Sequence, residues 1–244
     1  MPKRKRVFAD FTLIVLGVLT ALGAESLLAR RSQAALADEY RSRLSADLAA
    51  DAEALEQRVV LFDRVAMHGR GTLEWLLSGR EGDEDTLISA LLASERWQFS
   101  PASSTYADLE STGNLQLIGD LDVRAALSHY YSEAFQRDEI WQFPQEYRRL
   151  MRGIVPLSVQ DYVRGGCSVE GQDSSNDAVR DGCPASGLSA EELDRALDRL
   201  RDEPELEPGL RHLLSEIGTG LMLFGTQRDL ATELIAVLER VDQE

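Results

Sequence analysis

Lysine is almost missing from this chain of 244 residues: Lys3 and Lys5 are the only two, and the other 24 basic side chains are arginines. Both lysines lie in the first six residues, in the run Lys3-Arg4-Lys5-Arg6. Histidine is scarce as well. His68, His129 and His212 stand at no metal-ligand spacing from one another, so the common histidine and cysteine zinc motifs are excluded. Catalytic signatures are absent too. There is no Gly-x-Ser-x-Gly, no phosphate-binding glycine loop and no His-Glu-x-x-His, although a triad dispersed along the chain would leave no such trace. No segment alternates as a strand does, and no repeat of fixed period appears, so the expected class is all-α. Positive charge is in deficit, with 26 basic against 42 acidic residues. A net charge of −16 excludes the basic stripe that nucleic acid needs. It leaves a cationic partner or, more plainly, an acidic solubilising surface. Nothing in the sequence calls for a cofactor.

What is present begins with the basic run and the apolar stretch behind it. Residues 1–7 read as a cytoplasmic tail, 8–29 as a transmembrane signal anchor and 30–244 as one exported domain. The uncharged core, Phe11 to Ala24, is shorter than the roughly twenty residues that cross a bilayer. A cleaved signal peptide therefore stays open, with Ala21-Leu22-Gly23 as its cleavage site. An anchor is expected because Asp10 and Glu25 lie near the ends, where charge reaches the headgroups, and because no turn-forming cluster follows Ala24. Beyond the four N-terminal cations the chain holds 22 basic and 42 acidic residues, which orients the N-terminus inward. A tail this short leaves no room for a cytoplasmic output domain, so any signal is expected to pass through the span to a partner. Arginine in place of lysine is the usage of a GC-rich bacterial genome, which makes the exported side the periplasm and the membrane the inner one. Gly17, Thr20, Ala21 and Ala24 share one helical face. Small residues there permit close contact with another membrane helix, or simply reflect how common glycine and alanine are in such helices.

From Leu48 the apolar and small positions fall at 48, 52, 55, 59, 62, 66, 69, 73 and 76, alternating gaps of four and three. That spacing predicts one long helix from Ser26 to Leu77, with Gly69 and Gly71 as the place for a bend, packed either in its own bundle or as an intermolecular coiled coil. Asp47, Asp51, Glu53 and Glu56 lie outside this seam. Further helices are expected over Asp85–Ala93, Ser103–Thr112, Asp120–Gln142 (with Pro144 ending or kinking it), Ser189–Arg201 and Glu205–Asp242. Residues 152–187 read as irregular. In that segment Cys167 and Cys183 flank a loop rich in Gly, Ser and Asp, and in an oxidising compartment they are expected to form a disulfide. Asp173-Ser174-Ser175-Asn176-Asp177 lacks the glycine and glutamate of a calcium loop.

Ser103 to Thr112, followed by Gly113-Asn114 and then Asp120, reads as a helical hairpin turned at Gly113. Its candidate ligand or partner residues are Tyr106, Glu110, Asn114, Arg124 and Tyr130; the alternative is a structural hairpin with satisfied polar groups. Two stretches, "FTLIVLGVLTALGAE" with "EYRSRLSADLAADAEAL", and "TYADLESTGNLQLIGDLDVRAALSHYY", resemble an uncharacterised bacterial family of single-span inner-membrane proteins, a domain of unknown function. Tyr106, Glu110, Gly113, Asn114, Leu115, Ile118, Asp120, Leu127, Tyr130 and Tyr131 fit its pattern of Tyr, acidic helix, Ser/Thr-Gly-Asn-Leu and Tyr-Tyr. The resemblance implies a membrane anchor and a helical exported domain, and no activity. Three functions remain: a membrane-anchored domain that binds a protein partner or ligand, a membrane-tethered hydrolase, and a passive self-associating scaffold.

Overall fold

A computed structural model describes residues 2–95, 99–119, 121–140, 146–166, 168–169, 178–179 and 187–241. Over these residues the chain is all-α. Its helices are α1 (Pro2–Ser78), α2 (Glu84–Leu92), α3 (Ser104–Thr112), α4 (Leu121–Ile140), α5 (Glu146–Ile154), α6 (Leu157–Gly166), α7 (Ala190–Arg201) and α8 (Leu206–Val241), with a 3-10 turn at Asn114–Leu117. The only sheet among them is the two-residue antiparallel pair Ser168–Val169 with Ala178–Val179. The cysteine pair, the calcium-like run, Asp120 and Pro144 lie outside the described residues.

The fold divides into two units, and α1, α4 and α8 contribute to both. The larger, residues 48–102 and 128–233, holds the main core. Leu55, Phe62, Val65 and Ala66 of α1 pack there with Leu87 and Leu91 of α2, Tyr147 and Met151 of α5, Leu200 of α7 and Leu210, Ile217 and Phe224 of α8. The rings of Phe62 and Phe224 stack with centroids 5.7 Å apart. The Tyr147 hydroxyl, wholly inside, donates to the Ala90 carbonyl at 2.7 Å, so its polar end is satisfied where water cannot reach. Gly69 lies close under α8: a Cβ there would stand 2.8 Å from Leu214 Cδ2, the end of a side chain that would have to turn aside.

The seam on α1 is turned by one residue from the one the sequence predicts. Leu48, Leu55, Phe62 and Gly69 are buried as expected. The alternate positions that are most buried are Asp51, Arg58, Val65 and Thr72, not Ala52, Val59 and Leu73, which are half-buried; Ala66 is buried beside Val65. Asp51 therefore belongs to the interior, a correction to its placement outside the seam. Neither Gly69 nor Gly71 ends the helix, which runs unbroken to Ser78.

The second correction concerns residues 152–187. The first part is helical: α5 reaches Ile154, and α6 starts directly after Pro156. Proline fits the first turn of a helix, where its missing N–H has no partner to lose. Val155, Val159 and Val163 are then buried at helical spacing on one face.

The smaller unit comprises residues 1–47, 103–127 and 234–244. Its buried residues include Ala37, Tyr40 and Leu44 of α1, Tyr106 and Leu109 of α3, Ile118, Val123 and Leu127, and Leu234 and Leu238 of α8. Gly113 closes α3 in the left-handed region, at φ 72° and ψ 13°, as the hairpin reading requires. Ser103, the N-cap, makes no side-chain cap bond. Asp47 of α1 supplies an acceptor instead, taking the Thr105 N–H at 3.4 Å. The Tyr40 hydroxyl donates to Asp108 Oδ2 at 2.9 Å, a second tie between α1 and α3.

Candidate functional site

The hairpin candidates do not share one environment. In the smaller unit Tyr106 is buried, Asn114 and Arg124 are half-buried, and Glu110 is exposed. Tyr130 belongs to the larger unit, where it is fully buried. Its hydroxyl donates to Asp51 Oδ2 at 2.8 Å, and its carbonyl accepts from Gln227 Nε2 at 3.0 Å. Burial, with the Asp51 carboxylate close by, raises the phenol well above its ordinary value, so Tyr130 is a fixed hydrogen-bond donor rather than an acid. Asp51 Oδ1 accepts the Ala102 N–H at 2.7 Å, and the Tyr131 ring packs edge-on against Tyr130 with centroids 5.0 Å apart. Tyr130 is thus spent on holding α1, α4 and α8 together within the unit. The sequence reading singled out Tyr130 and missed Asp51, its partner 79 residues away.

Along α1, every described side chain from Leu16 to Leu36 is exposed. Leu16, Leu19, Leu22, Leu27 and Leu28 each expose 56–67% of their surface. Thr20 Oγ1 donates to the Leu16 carbonyl at 2.8 Å, so on the face of Gly17, Thr20, Ala21 and Ala24 that hydroxyl is satisfied within its own helix. Among the described residues no helix is long and apolar enough to cross a membrane.

A cleft that the sequence reading passes over lies in the larger unit. It has a volume of about 400 Å³, and Met67, His68, Thr72, Trp75, Asp83 and Ser89 are among its walls, with Gly71, Asp85 and Thr86. Helix α1 supplies one side and the start of α2 the other. His68 Nδ1 lies 3.2 Å from Ser89 Oγ, joining the two helices. Thr72 Oγ1 donates to the His68 carbonyl. Asp83 caps α2: its carboxylate accepts the Thr86 N–H at 2.9 Å and the Thr86 hydroxyl at 2.7 Å, which holds it below the ordinary aspartate value. Trp75 is 6% exposed, its ring lies under the Arg201 guanidinium at 4.8 Å, and its indole N–H has no acceptor among the described residues. The legible trace of the cleft was the pair Asp83 and Thr86, three residues apart as in a capping box.

Histidine, serine and two carboxylates in one cleft invite comparison with a hydrolytic triad, and the geometry argues against it. Ser89 sits inside α2, in regular helix and not on the sharp strand-to-helix turn that presents a serine nucleophile. Asp83 faces Thr86 as a cap. No protein-family model, curated protein or solved structure is matched by the chain.

Proposed function

We propose that this chain is a single-pass inner-membrane protein, N-terminus inside, whose periplasmic all-α domain binds a protein partner or small ligand. The family resemblance supports the same reading. The observation that carries it is the row of exposed leucines on α1, from Leu16 to Leu28, in a helix that opens on a basic run. A helix apolar around its circumference and uncovered by its own chain requires a lipid or protein environment. The orientation rests on the tail cations and the acidity of everything beyond them. In this proposal the segment reaches across by placing its terminal charges among headgroups.

The tethered hydrolase is the weaker reading, because Asp83, the carboxylate beside His68 and Ser89, is held by Thr86 as a helix cap. Extraction of membranes with alkaline carbonate tests the anchor. The chain is expected to stay in the pellet, while Leu19→Arg with Leu22→Arg releases it. Full release of the unaltered chain would contradict the proposal.

A further inference from the structure

We draw no further inference here: the strongest candidate, the uncovered face of α1 that carries the exposed Val60 and Met67 in the larger unit, is an apolar surface patch, and nothing in the structure shows what covers it.

Discussion

The Tyr130 hydroxyl reaches the Asp51 carboxylate at 2.8 Å in the interior of the larger unit, where Tyr130 is fully buried and Asp51 is 2% exposed. A buried carboxylate is tolerable only when hydrogen-bonded, and this one also takes the Ala102 N–H. Removing either end leaves a polar group stranded.

Tyr130→Phe should therefore destabilise the fold by about 1.5–3 kcal/mol, the range for a hydrogen bond to a charged group. Asp51→Ala should cost more, since it leaves two donors without an acceptor. In a double-mutant cycle followed by urea unfolding the pair should couple by at least about 1 kcal/mol. Additive losses would show that the two residues act separately.

Two glycines on one turn of α1 should behave differently. Gly69→Ala brings a Cβ to 2.8 Å from Leu214 Cδ2, whose displacement offsets the helix gain of about 1 kcal/mol, so it should be close to neutral. Gly71→Ala meets open space and should stabilise by up to about 1 kcal/mol. At Gly113, with φ at 72°, valine should cost about 1–2 kcal/mol or more. Thermal melts rank all three, and equal melting temperatures for Gly69→Ala and Gly71→Ala would contradict the packing described.

Acid should loosen the two capping boxes. The Asp83 and Glu192 carboxyls are both held below their ordinary values, by Thr86 and Ser189 respectively. A depressed carboxylate contributes stability that is complete above its unfolded value and is lost as pH falls through its folded one. For Asp83 that loss begins below the ordinary 3.8. Carbon-detected titration should place its midpoint under that value, and Thr86→Val should move it upward. An unchanged midpoint in the variant would mean that the Thr86 hydroxyl is not the cause.

Cys167 and Cys183 are expected to be bonded in protein recovered from an oxidising compartment. Alkylation under denaturing conditions should then find no thiol until reductant is added. Two reactive thiols in freshly exported protein would remove the bridge.

The sequence carried the local features of the fold well. Gly113 as an αL cap, Ser189 and Glu192 as a capping box and the long α1 all follow from signals within a few residues. The seam on α1 shows where such reading ends. Apolarity favours Ala52, Val59 and Leu73, yet Asp51 and Arg58 lie deeper. Asp51 is held inside by Ala102 and Tyr130, 51 and 79 residues away, and no periodicity encodes partners at that distance. The cleft was hidden for the same reason: His68 and Ser89 are 21 residues apart and meet only after α2 folds back on α1. Residues 157–166 read as irregular beside the Gly-, Ser- and Asp-rich stretch that follows them, yet the valines at 155, 159 and 163 recur at helical spacing and are buried on one face.

The central claim, that the basic tail stays inside and the helical domain is displayed outside, is tested most directly by paired reporter fusions after Glu244. Alkaline phosphatase, active only when exported, should be active there, and a fluorescent protein that folds only in the cytoplasm should be dark. A silent phosphatase with a bright fluorescent fusion would contradict the orientation and the exported domain together.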